Sequence, residues 1–206
     1  NLVLVKNIMA NQILDSPFIK INKNHSALLN KAIIIYDSLS IHTNKIKPQY
    51  HLAEIKYKIL GDLDGATEIY QNISTYNLSE YSIKATGRLI DIMICNGDLL
   101  QALEFINNYY VSNNKELSNL LTIKEIQVLY YLNEKELLLE KIEKFSKNDD
   151  KSNKYYNDVL KIMNDVLLFS DANIFKKYTE SMFKVFQNKR TEAMSILKSI
   201  SNNENK

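Results

Sequence analysis

The chain has 206 residues, enough to bury a core as one globular domain or one continuous array. Its 26 Lys and Arg against 24 Asp and Glu leave a formal net charge of +2, which gives no electrostatic ground for nucleic acid or an anionic membrane as partner. Four Gly and two Pro are too few turn residues for an all-β fold, and the single Cys95 excludes an internal disulfide.

Apolar residues recur at three- and four-residue spacing along nearly the whole chain. In order, the spacing predicts helices at about 2–14, 25–41, 48–60, 63–76, 79–95, 98–111, 116–132, 134–147, 153–169, 172–187 and 189–201, about 11 in all. The opening NLVLVKNIMANQIL lacks the layout of a secretory signal, and a start at Asn1 rather than Met suits a fragment or a processed form of a longer protein. DSPFIKINKNH (Asp15–His25) carries Pro17 and a polar tail and predicts an irregular connection. Residues 1–24 are therefore expected to form a degenerate or capping segment. Elsewhere the connections are two or three residues, which favours antiparallel neighbours. SKNDDKSN (Ser146–Asn153) separates the first eight helices from the last three as a loop or small hinge within a single domain, 1–206. The longest apolar run, AIIIY (Ala32–Tyr36), falls far short of the roughly 18 residues that span a bilayer.

Two stretches echo one another. LGDLDGATEIYQNI (Leu60–Ile73) and NGDLLQALEFINNY (Asn96–Tyr109) place Gly61 and Gly97 at 97 − 61 = 36 residues, and Ala66 and Ala102 at the same interval. Each glycine sits where a helix must end in the left-handed conformation, and Asp62 and Asp98 follow as N-caps. Gln101 completes a capping-box pattern with Asp98. A period in the thirties with one helix–turn–helix per unit is the mark of a helical solenoid.

The pattern Tyr50…Ala53…Tyr57…Gly61-Asp62-Leu63…Ala66…Tyr70…Ile73 resembles the tetratricopeptide-repeat (TPR) family. Leu89…Met93…Gly97-Asp98-Leu99…Ala102…Ile106…Tyr109 repeats it more loosely, Ala32…Tyr36…Leu39 precedes it by 34 residues, and Ala193 in QNKRTEAMSILKSI takes the small position of a second helix. Glu54 and Leu138 stand where the family has small residues, and the proline that ends each unit is missing. The resemblance implies an all-α, right-handed α-solenoid of antiparallel helix hairpins, with TPR-like repeats over 25–148 and C-terminal helices over 153–202.

Catalytic constellations are not legible. His25, His42 and His51 have no partners at zinc-ligand spacing; His51 and Glu54, three apart on one helix, make only half a site. Cys95 lies at an apolar helix end, where a thiolate is disfavoured. GDLDG matches no phosphate loop, and Asp62 with Asp64 lack the other oxygen ligands of a calcium loop. Glu134, Glu136, Glu140 and Glu143 alternate with Lys135, Lys141 and Lys144 as a solvated helix face. The 13 tyrosines, at helical spacing, are expected to fill the core between helices. The chain is thus expected to be no enzyme and to carry no metal or cofactor.

The resemblance implies that exposed positions of first helices line a concave groove. Carried onto this chain they are His51, Ile55 and Lys58, then Lys84, Asp91 and Ile94, then Ile123, Gln127 and Tyr130. The function implied is a non-catalytic scaffold that binds a peptide or a partner protein's helix in that groove. A structural spacer or oligomerisation segment of a larger assembly, using the apolar first helix, is the alternative. The sequence leaves the partner, the oligomeric state and the compartment (cytoplasm or bacterial periplasm) open.

Overall fold

The computed structural model describes residues 17–20, 26–43, 45–75, 78–109, 114–148 and 155–203, with the side chains of 42, 43, 148 and 201–203 excepted. The helix expected at 2–14 and most of the polar stretch from 146 to 153 lie outside the described residues. Those described are helical, with no strand among them. We number the helices α1 (Ser26–Thr43), α2 (Ile46–Ile55), α3 (Leu63–Ser74), α4 (Glu80–Asn96), α5 (Leu99–Tyr109), α6 (Lys115–Leu132), α7 (Lys135–Asn148), α8 (Tyr156–Leu168), α9 (Ala172–Phe186) and α10 (Arg190–Asn203).

Helix ends follow local chemistry. Asp62 Oδ1 accepts from the Gly65 amide at 2.9 Å, Asn114 Oδ1 from Leu117 at 2.8 Å, and Asp171 Oδ1 from Asn173 at 2.7 Å. Each such cap satisfies an otherwise orphaned amide and stabilises its helix by about 1 kcal/mol. Four corners turn through a left-handed residue: Gly61 (φ 68°), Gly97 (φ 95°), Asn133 (φ 61°) and Asn188 (φ 62°). The amide after each of the last three reaches back to close the helix, Asp98 to the Met93 carbonyl at 2.9 Å, Glu134 to Leu129 at 3.1 Å and Lys189 to Lys184 at 2.8 Å. Asn133 extends the recurrence read from the glycines, since 133 − 97 is again 36.

The first corner departs from the expected α-helix over 48–60. Lys56–Leu60 wind as a π turn, so the Asp62 amide closes onto Lys56 O at 2.9 Å, one residue further back than at the other corners. The Lys58 carbonyl accepts instead from the Ile19 amide at 2.7 Å. Phe18 packs edge-on against Tyr57, with ring centroids 5.9 Å apart.

The chain divides into two compact units, Pro17–Ile92 and one that holds the residues from Met93 onward. In the first unit α1 packs on α2 and α2 on α3. Its core is aromatic: Tyr50, Tyr57 and Tyr70 are buried, with Tyr70 5.8 Å from Tyr50 and 6.5 Å from Tyr57, beside buried Ala53, Ala66 and Ile73. In the second unit α6 is the central helix, in contact with α5, α7, α8 and α9. Almost every side chain from Leu120 to Tyr131 is buried, as a helix with neighbours on several sides requires. α9 packs on α10, and Leu138 is fully buried. Two of the lysine–glutamate pairs on the outside of α7 form as i,i+4 bridges, Lys144 to Glu140 and Lys147 to Glu143, both at 2.5 Å and exposed.

Candidate functional site

Five positions expected on an open groove are buried instead: Ile55, Lys58, Asp91, Gln127 and Tyr130. Ile94 and Ile123 are fully buried as well. The physical reason differs by unit. In the second unit, α6 is covered by its four neighbours; Gln127 accepts from Lys124 Nζ at 3.1 Å, and the Tyr130 hydroxyl donates to Asp165 Oδ2 at 2.8 Å. In the first unit, charge draws the side chains inward.

Glu54 is the centre of that inward network. Its carboxylate accepts from Tyr70 Oη at 2.6 Å, from Lys58 Nζ at 2.9 Å and from Arg88 Nε at 2.7 Å, and Arg88 Nη1 reaches Asp91 Oδ2 at 2.8 Å. Two acids and two bases thus cancel within a buried cluster. Burial alone would raise the Glu54 carboxyl, but Arg88, Lys58 and the hydrogen bonds from Tyr70 and Arg88 outweigh it and hold the group at about 2. Burial, then Arg88, pulls Lys58 below the ordinary lysine value, with Glu54 opposing. A carboxylate where the repeat pattern has a small residue is therefore the hub of a structural cluster.

His51 and Lys84 remain part-exposed, and an aromatic ring joins them. Lys84 Nζ lies 5.6 Å from the Tyr81 ring centroid, and the His51 ring lies 6.3 Å from Tyr81 and 5.4 Å from Tyr36. Burial first, then Lys47, lowers the His51 value. Lys84 also pairs with Glu80. Among the described residues no group of three His, Cys, Asp or Glu is placed to hold a metal ion, and no helix is long and apolar enough to cross a membrane.

A concave feature of the first unit lies elsewhere, between α1, α2 and α3, as a cleft of about 610 Å³. Each helix contributes one face. α1 supplies Asp37, Ser40 and Ile41; α2 and the π turn after it supply Gln49, Leu52 and Lys56; α3 and its C-cap supply Gly65, Glu68, Ile69, Asn72 and Thr75. These positions keep the three- and four-residue spacing of single helical stripes. Leu52 is buried at the base, while Ile41 is 72 % exposed on the α1 wall.

Lys56 and Asp62 brace one end of the cleft. Lys56 Nζ donates to Asp62 Oδ2 at 2.6 Å, and this bond, with that from Gly65, holds the Asp62 carboxyl below its ordinary value. Gly65 makes the arrangement possible. A Cβ there would lie 2.5 Å from Asp62 Oδ2 and 2.7 Å from Lys56 Nζ. A glycine inside the first turn of a helix, at a cost of about 1 kcal/mol in propensity, was the sequence signal for this wall. Among the described residues Asp37 and Glu68 have no ion-pair partner, and the side-chain amides of Gln49 and Asn72 make no hydrogen bond. No protein-family model matches the chain, and neither the curated proteins nor the solved structures contain a match.

Proposed function

We propose that the chain is a TPR-like α-solenoid segment, non-catalytic, that docks a peptide or protein segment, and that the α1–α2–α3 cleft is its docking site. The observation that carries this reading is the cleft's lining. Apolar Ile41, Leu52 and Ile69 stand beside carboxylates and amides that have no partner among the described residues, while the Glu54–Lys58–Arg88 charges of the unit pair with one another. A concave site with an apolar base and a few convergent polar groups is what recognition of a chain segment requires. The solenoid part of the proposal is supported by the corners at 61, 97 and 133. It is also supported by contacts between alternate helices about one repeat apart, Glu54 to Arg88 and Tyr130 to Asp165.

The experiment is a selection of random short peptides displayed against the immobilised chain. Enriched peptides are then tested on Ile41→Asn/Ile69→Asn, with folding checked by thermal melt. The docking reading expects enrichment and a loss of binding of about tenfold or more in the variant. Enriched peptides that bind the variant equally well would place docking elsewhere.

A second reading, oligomerisation or a spacer role in a larger assembly, has one observation in its favour. α1 exposes Leu28, Ile34, Ile35, Leu39 and Ile41, large apolar side chains that a partner helix could cover. Sedimentation of the wild type and of Ile34→Glu separates this role: an assembly that the substitution dissolves supports it, and a monomer in both excludes self-association.

A further inference from the structure

We infer that the occupant of the α1–α2–α3 cleft is an extended, cationic peptide segment: an apolar side chain seated between Ile41 and Ile69, flanked by Lys or Arg. The inference rests on the docking reading above and adds the chemistry of the partner.

Charge comes first. The cleft walls carry Asp37 on α1 and Glu68 on α3, with no cation paired to either among the described residues. The basic side chain of the lining, Lys56, is already held by Asp62 at 2.6 Å. Among the described residues the cleft therefore carries negative charge with no paired cation on two walls, although the whole chain is slightly basic. A partner with cations on both sides of an apolar residue meets both walls. An acidic partner would set like charges together.

Backbone chemistry then separates an extended segment from a helix. Gln49 and Asn72 present side-chain amides, each with donor and acceptor capacity that no described residue uses. A helix has its own main-chain groups bonded internally and would cover these amides with side chains. An extended segment has free N–H and C=O groups, and these are the natural partners of an amide.

The test is the composition of the selected peptides, with two sets of variants. The inference expects enrichment of Lys or Arg on both sides of an apolar residue. It also expects binding to weaken about tenfold or more in Asp37→Lys/Glu68→Lys, with recovery when the peptide's cations are exchanged for Glu. Gln49→Ala/Asn72→Ala should weaken the same peptides by a similar factor at unchanged salt dependence, because it removes hydrogen bonds and no charge. Peptides that require Ile41 and Ile69 but show no cationic preference would overturn the inference and leave the docking reading standing. Peptides that bind only when stapled as helices would overturn the extended form. No enrichment over a control surface would remove the docking reading itself. Both double variants alter surface positions, and a thermal melt within a few degrees of wild type confirms that the readout concerns binding.

Discussion

Arg88 Nε lies 2.7 Å from Glu54 Oε1, across 34 residues of sequence, and ties α4 to α2 through a buried carboxylate. Lys58 and Tyr70 hold the same carboxylate from the π turn that follows α2 and from α3. Three segments thus meet on one side chain. Removing it takes from Lys58 and Arg88 the carboxylate that they share.

Glu54→Gln is therefore expected to destabilise the fold by about 3–5 kcal/mol, the cost of breaking a buried ion cluster from one side. The combined Glu54→Met/Lys58→Met variant should cost clearly less than Glu54→Gln, because Arg88 keeps Asp91 as its partner and no charge is stranded. Urea titrations of the two variants and the wild type check the ordering. Equal losses in both would mean that packing rather than charge sets the cost.

The same carboxylate gives stability a defined pH dependence. Its folded value is held at about 2 against an ordinary 4.5, so the ionised form is favoured by folding. Its contribution is complete above about pH 4.5 and is lost as pH falls toward 2, amounting to ~3 kcal/mol over that window. Denaturant midpoints measured from pH 6 down to pH 2 should fall more steeply for the wild type than for Glu54→Gln.

The hairpin corners predict opposite effects for similar changes. Gly61 has open space around its Cβ position, so Gly61→Ala meets only the left-handed backbone and should cost about 1–2 kcal/mol. Asn133 already carries a side chain at φ 61°, and Asn133→Gly should be neutral or stabilising by a few tenths of a kcal/mol. Thermal melts of the pair would show whether the two corners are the same device.

The architecture was legible where periodicity and punctuation agree. Gly61-Asp62 and Gly97-Asp98 announced two corners, and helical spacing gave the described helices to within a few residues. Helical spacing alone placed the break at 133, and its likeness to the glycine corners was missed because Asn133 performs the glycine's task with a different residue. The groove residues were misread for a different reason. A residue's helical stripe can be read from sequence, but how many neighbours cover that stripe cannot. Lys58 and Asp91 look like solvent-facing charges until Glu54 and Arg88 are seen beside them. The cleft gave one sign in advance, a glycine inside a helix at position 65, whose reason appears only with Lys56 Nζ across it.

Tyr130 separates a structural role from a binding role. Its hydroxyl is buried and bonded to Asp165, so Tyr130→Phe should cost about 1–2 kcal/mol of stability and leave peptide binding unchanged. Anisotropy titrations beside thermal melts measure both. A binding defect without a stability defect would restore Tyr130 to a contact surface.

Where the partner sits is tested most directly by photo-crosslinking. A benzophenone side chain is placed at Thr75 in the cleft or at Lys84 beside the Tyr81 ring, and a selected peptide is supplied to each. The account predicts that irradiation joins the peptide to the chain labelled at Thr75 and not to the chain labelled at Lys84. Efficient crosslinking from Lys84, with none from Thr75, would contradict it.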